Sequence, residues 1–479
     1  MRYVLLVSLL LLVAPELEAS SFVPPLPDGL QDDKEKNQKN GPALPKGLAD
    51  SKAPPSLPPG LGGKGKRNAE ESVSSKASPG LPITGFAEIR TGFRLQDDPF
   101  EKAASIGEAR LQLSLEKEFE LGTATLTADM VVDPVWDRHG INLESGRGWL
   151  DLREANFLMR PTSFADLKLG RQILTWGTGD LLFINDMFPK DWNAFFIGRD
   201  TEYLKAPSDT FKLALFSDTA NLDIIYTPRF DADRYIDGSR ISYFNPMLSE
   251  LSGQNALIQA NRPDDWFKSD EWSLRLYRNL GAAEVALYFY DGYWKSPAGQ
   301  ETTTGLAKFP RLRTYGASIR RPLLGGIANI EIGLYDSLDD PTGANPFIGN
   351  SEFRWLVGFE REIASELTAS VQYYQESIRG YDAYQASLPT GLPVRDKNRR
   401  VLTARLTKFT MNQTLTWSLF AYYSPTDKDA YLRPKVSYKI DDAWLAEVGA
   451  NLFFGAANNT FFGQFKKNTN LFAGLRYSF

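Results

Sequence analysis

From residue 84 to Phe479 the chain alternates apolar and polar residues in segments of about ten, a period that a β-strand sorts onto two chemically distinct faces. In 84–95, Ala87, Ile89, Thr91 and Phe93 share one face, and Glu88, Arg90, Gly92 and Arg94 the other. The next segment sets Ala109, Leu111, Leu113 and Leu115 against Glu108, Arg110, Gln112, Ser114 and Glu116. The same pattern returns at 124–133, 149–160, 166–176, 208–216, 220–228, 270–278, 282–292, 311–321, 327–336, 351–361, 367–376, 400–408, 414–424, 430–440, 444–454 and 469–479. That makes eighteen strands, with sixteen as the alternative count. Pro434 falls inside one of them and predicts a bulge or a shortened strand. Phase breaks near Leu152-Arg153-Glu154 and Gly170-Arg171-Gln172 predict bulges or displaced boundaries there.

Connection lengths sort with the count. Every second connection is short: 118–122, 161–165, 217–219, 279–281, 322–326, 362–366, 409–413 and 441–443. Those between are mostly long, including 177–207, 229–269 and 377–399, with 425–429 as the exception. Short turns at one end and long loops at the other are the pattern of a transmembrane antiparallel up-and-down β-barrel. A soluble sandwich or propeller would give the same alternation. The best-defined apolar faces (Phe353, Trp355, Val357, Phe359; Leu415, Trp417, Leu419, Ala421; Trp444, Ala446, Val448, Ala450, Leu452) carry no charge.

The closing strand favours the barrel. Leu471, Ala473, Leu475, Tyr477 and Phe479 form an apolar face ending on a terminal aromatic residue. It resembles the last strand of Gram-negative outer-membrane barrels, which that family presents to its barrel-assembly machinery. At the other end, Arg2, an apolar run from Val4 to Val13 and small residues at Ala19 and Ser20 have the layout of a secretory signal peptide. The run is too short to span a bilayer. Residues 21–82 are dense in Pro, Gly, Ser, Lys and Asp, and we expect a disordered periplasmic tail. Within it Leu26-Pro27-Asp28-Gly29-Leu30 recurs as Leu44-Pro45-Lys46-Gly47-Leu48 and Leu57-Pro58-Pro59-Gly60-Leu61, either a spacer or a set of docking points for a periplasmic partner. The expected organisation is a signal peptide at 1–20, the tail at 21–82 and an outer-membrane barrel over 83–479, with both termini periplasmic.

Composition narrows the function. There is no cysteine, which removes disulfides, thiolate metal sites and covalent haem attachment. The net charge of -5 disfavours a nucleic-acid partner. No cofactor is expected. The single histidine, His139, follows Asp133 and Asp137 in the second external loop; those acids could orient it, but a lone loop histidine among charges reads as solvated rather than catalytic. Acidic stretches at Asp231, Asp233 and Asp237 and at Asp336, Asp339 and Asp340 lack the spacing of a calcium loop and read as solvated turns.

A barrel of this size encloses water. Basic residues on the polar face are Arg90, Arg94, Arg110, Arg275, Arg354, Arg405, Arg433, Lys435, Lys439 and Arg476; acidic ones are Glu88, Glu108, Glu116, Glu284, Glu331, Glu360 and Glu447. They either set a field across the lumen or pair along the wall. The slight basic excess tilts the expectation toward anionic solutes.

The third long loop, 177–207, holds Leu181, Leu182, Phe183, Ile184, Met187, Phe188, Trp192, Phe195, Phe196 and Ile197, too much apolar surface to leave in water. It is expected to fold into the barrel, as the third loop of general porins does, placing Asp180, Asn185, Asp186, Lys190, Asp191, Arg199, Asp200, Glu202 and Lys205 at a constriction. A lid, or an outward patch for a partner or lipopolysaccharide, is the competing reading. The preceding Leu167-Lys168-Leu169-Gly170-Arg171-Gln172 and Trp176-Gly177, with Asn185, Pro189 and Asp191 following, resemble a stretch of outer-membrane barrels distantly like the alginate-export porin. That resemblance implies barrel and compartment and carries no substrate. The expected function is a passive diffusion channel for small hydrophilic solutes, without catalysis, in contact with membrane lipid and lipopolysaccharide. Polymer export with periplasmic partners and a structural tether are the alternatives.

Overall fold

The structure is a computed structural model that describes residues 83–136 and 140–479. The signal-peptide and tail expectations, the Leu-Pro repeats, and Asp137 and His139 lie outside the described residues. Eighteen strands form one closed sheet: β1 (Ile83–Arg94), β2 (Ala104–Phe119), β3 (Gly122–Val132), β4 (Leu150–Thr162), β5 (Ala165–Ile173), β6 (Pro207–Leu215), β7 (Asn221–Thr227), β8 (Glu271–Leu280), β9 (Ala283–Tyr293), β10 (Arg311–Leu323), β11 (Gly326–Ser337), β12 (Glu352–Ala364), β13 (Leu367–Ile378), β14 (Asn398–Thr410), β15 (Leu415–Ser424), β16 (Asp429–Lys439), β17 (Trp444–Gly455) and β18 (Asn470–Ser478). Each pairs antiparallel with the next, and β18 pairs with β1 from Phe86↔Ser478 to Arg94↔Asn470. Phe479 completes the seam: its N–H donates to the Gly85 carbonyl and its carbonyl accepts from the Gly85 N–H, both at 3.0 Å. Closure leaves no unpaired edge, which lipid would penalise at every N–H and C=O.

The wall's two faces follow the alternation. Ile89 is 69% exposed while its neighbour Arg90 is 1% exposed. Through the middle of the wall the outward positions are apolar, as in Leu274, Leu276, Ile330, Ile332, Val371, Leu406, Leu419 and Val448. Aromatic pairs flank them, among them Tyr226 with Trp272 and Trp444 with Tyr477. An exposed apolar band between aromatic girdles, around charged inward faces, is a barrel turned inside out for a bilayer. The soluble-sandwich alternative is thereby set aside, because its apolar faces would be the buried ones.

Eight short turns lie at the end where β1 begins and β18 ends, and the one short connection at the far end is that between Ser424 and Asp429. One is Leu324-Gly325, whose φ values of 49° and 72° give the doubly left-handed backbone that suits a two-residue hairpin. The long loops gather at the far end. Arg153 is the bulged residue, since Thr127 faces Glu154 while Ala128 faces Leu152. Gly170 takes a φ of 109°, and after it Arg171 and Gln172 are both buried. The strand at Pro434 neither bulges nor shortens. Pairing with β17 lapses between Leu432↔Leu452 and Lys435↔Gly449 and resumes in the same register, so the missing N–H costs a local gap in the ladder.

Candidate functional site

The loop from Leu174 to Ala206 leaves β5, enters the barrel and returns to β6. Its short helix α1 (Trp192–Ile197) starts where Asp191 caps the Ala194 N–H at 2.7 Å and stops at Gly198, which turns left-handed at φ 93°. The helix presents Phe195 and Phe196 to Tyr431, and Phe196 also to Phe453 and Phe465, with ring centroids 5.1–5.8 Å apart. Ile184, Ile197 and Leu204 join the same buried cluster, together with inward-facing Leu356, Tyr374, Val401, Phe420 and Tyr422. The apolar residues that water would reject are thus buried against the inner wall.

Polar side chains of the wall fix the loop's backbone along its length. From β11, Glu331 accepts from the Thr178, Gly179 and Asn185 N–H groups, and Tyr335 donates to the Ile184 carbonyl. From β13, Gln372 bonds both the N–H and the carbonyl of Asp180 at 2.8 and 2.9 Å. Tyr422 donates to Leu181, Asn470 to Phe196, Arg90 to Gly198 and Arg433 to Arg199. On the return, Tyr203 donates to Asp129 and Arg153 to the Lys205 carbonyl. These bonds give buried backbone groups the partners they would otherwise lack. The wall also makes room: a Cβ on Gly316 would sit 1.6 Å from Asn185 Oδ1, and one on Gly333 2.6 Å from Ile184 Cγ2.

The charges expected to line water divide into two groups. Most are paired beneath the loop. Arg90 bonds Glu88 and, at 2.8 Å, Glu447, which also holds Lys435. Arg476 reaches Glu88 at 2.9 Å and Asp200 at 3.7 Å. Glu108 joins Arg110 and Arg199, and Arg110 also meets Asp129. Asp186 pairs with Lys190 at 2.9 Å, and Asp191, besides capping α1, meets Arg234 at 3.3 Å. Trp192 donates to Asp233. These groups hold the loop and the wall together, and Arg90, Glu108, Arg110, Asp186, Lys190, Asp191 and Arg199 are buried rather than facing a lumen. Arg94 is also displaced from the expected lining: it bonds the Ala104 and Arg240 carbonyls among the far-end loops.

The second group keeps contact with water. Arg405 holds Asp180 through two bonds of 2.5 and 2.6 Å, and the two side chains are 28% and 30% exposed. Lys435, Arg476 and Asp200 are likewise partly exposed. Arg354 pairs with Glu352 and stacks on Tyr335 nearer the far end. Glu360 is part-exposed on the inward face of β12 toward the terminal end.

Of the acidic loop stretches, Asp339 is exposed as expected of a solvated turn, whereas Asp231 and Asp340 are buried and Asp233 is half-buried. Asp231 accepts from Ser208 Oγ and the Asp209 N–H; burial, with Glu271 adding to it, raises its carboxyl above the ordinary range. Asp233 is raised by burial too, opposed by donors from Ser296, Lys190 and Trp192. Asp340 goes the other way: burial alone would raise it, but donors from Thr342, Gly343, Ala344 and Asn345 win and lower it. Among the described residues no cluster of His, Cys, Asp and Glu has the makings of a metal site. Asp129, Asp151, Gln372 and Asn470 also serve the loop region. Alternation puts them on the inner face and gives no sign of the loop contact.

Fold and loop together define the class, a transmembrane β-barrel of porin-like architecture. No family model matches the chain, and no curated protein matches it. Among solved structures it is similar to Pseudomonas aeruginosa OccK3 (OpdO), at 13% identity over 83% of this chain and 96% of that one, with a TM-score of 0.49. Acinetobacter baumannii OccAB1 is 11% identical over 85% and 99%, also at 0.49. A mutant Rh. blastica porin is 8% identical over 83% and 100%, at 0.36.

Proposed function

We propose that this chain is an outer-membrane porin, a passive channel for small hydrophilic solutes narrowed by the loop between β5 and β6, with its termini on the periplasmic side. The observation that carries this reading is the loop's place inside a closed barrel, bonded to inward side chains from β11 through β18 to β4. A loop so placed sets the width of whatever passage the barrel offers. No step of the reading uses catalysis. Selectivity falls to the part-exposed charges beside the loop, Asp180, Arg405, Lys435, Arg476 and Asp200, whose basic majority favours anions. The apolar band supports contact with lipid and lipopolysaccharide, and the β18 seam supports assembly through the closing strand.

Proteoliposome swelling in sugars of graded size tests the reading. The parent chain is expected to admit only small sugars, and a variant lacking 180–200 to admit larger ones. An unchanged size cut-off would contradict the constriction.

A further inference from the structure

The two arms of the inward loop are held differently. The return side is anchored by α1, whose Phe195 and Phe196 are buried among Tyr431, Phe453 and Phe465. The leading arm, 177–185, is held at both of its ends by one acid, and between them by Gln372 and Arg405 at Asp180 and by Tyr422 at Leu181. Both oxygens of Glu331 are committed to it: Oε2 accepts from Thr178 N at 2.6 Å, Thr178 Oγ1 at 3.0 Å and Gly179 N at 3.2 Å, and Oε1 from Asn185 N at 2.8 Å and Asn185 Nδ2 at 3.0 Å. Glu331 is 0% exposed and forms no ion pair with any described residue, so these donors alone satisfy its carboxylate. Its strand is shaped for the same task. On the inward face of β11, Asn329 donates to the Thr178 carbonyl, Gly333 leaves room for Ile184, and Tyr335 donates to the Ile184 carbonyl.

The arm so held carries backbone strain. Leu181 has a φ of 56°, a left-handed backbone that a branched aliphatic residue adopts only when its surroundings enforce it. Gly177, at φ 87°, stands at the start of the arm and supplies a hinge. Leu181, Leu182 and Phe183 are only partly buried. At the arm's centre lies the water-facing Asp180–Arg405 pair.

We propose that Glu331 is the positioning residue of the constriction: it latches the 177–185 arm across the lumen and so sets where Asp180 meets Arg405, and the arm swings away when the carboxylate is lost. The proposal deepens the porin reading and is tested so that the two fail separately. Glu331→Gln preserves size but turns one acceptor into a donor facing N–H groups. With Leu182→Cys as the sole cysteine, labelling by a water-soluble maleimide reads the arm whether or not the barrel conducts. We expect Glu331→Gln to speed labelling about tenfold, the effect of losing a charge-assisted hydrogen-bond set, and to add open–closed flicker to single-channel traces. Glu360→Gln, on the same inner surface but without a hydrogen bond to the loop, is expected to change neither. Should Glu331→Gln fail to fold, Thr178→Ala with Asn185→Ala removes the two side-chain donors from the loop side and leaves the three backbone ones, and is expected to speed labelling about threefold. Labelling within a factor of about two of the parent in the folded variant would overturn the assignment, since the lost acceptor would then cost the arm nothing.

Discussion

Arg90 and Arg405 carry the same guanidinium to the same inner surface and do different work because water reaches only one of them. Arg90 is buried between Glu88, Glu447 and the Gly198 carbonyl, so Arg90→Ala leaves two buried carboxylates short of a partner. A loss of about 3–5 kcal/mol in unfolding stability is expected, measured by denaturant titration in detergent. Arg405→Ala breaks a part-exposed pair and is expected to cost about 1 kcal/mol or less. Its effect belongs in selectivity: reversal potentials across a salt gradient should shift toward cations, and an unshifted potential would show that the pair does not face the passage. Glu101, in the loop between β1 and β2, adds a pH dependence. Burial lifts its carboxyl from 4.5 to about 7, against the pull of Arg94. Between those values the folded chain keeps a proton that the unfolded chain releases, so the loop is held best below the window and loosens as pH rises through it. Partial solvent access keeps the effect below its full-burial size. Hydrogen exchange of 95–103, corrected for intrinsic rates, should quicken from pH 5 to 8 in the parent, and Glu101→Gln should remove the trend.

At the scale of elements, the strands and the inward loop were legible to different degrees. Alternation and turn spacing located every barrel strand, because a wall between lipid and a polar interior imposes period two on each segment. Arg153 and Gly170 announced their irregularities as phase breaks. Pro434 announced a bulge or a shortened strand that did not form, because its neighbour strands hold the register across the gap. The loop's inward fold was legible in its apolar load, whereas the duties of its charges were not. Alternation tells which face a side chain takes and nothing of its height, so Arg90, Glu108 and Arg110 read as lining when they lie under the loop. The seats at Gly316 and Gly333 were silent for the same reason. Gly316→Leu places a side chain where Asn185 sits. It is expected to leave the barrel folded, judged by heat-modifiable mobility, and to raise protease cutting within 177–207; uncut loop in a folded variant would contradict the packing described.

For the whole molecule, a closed sheet of eighteen strands with an apolar exterior carries one long loop bonded to its inner wall, and on the porin reading that loop lies across the route through the membrane. The β1–β18 seam, ending on the mutual bonds of Phe479 and Gly85, closes the barrel, and the third loop packs against its inner wall. If this loop governs passage, its removal must change the planar-bilayer conductance of the purified chain. Small single-channel steps are expected for the parent, and markedly larger steps when 180–200 is removed. Equal conductance in the two, or none in either, would contradict that role.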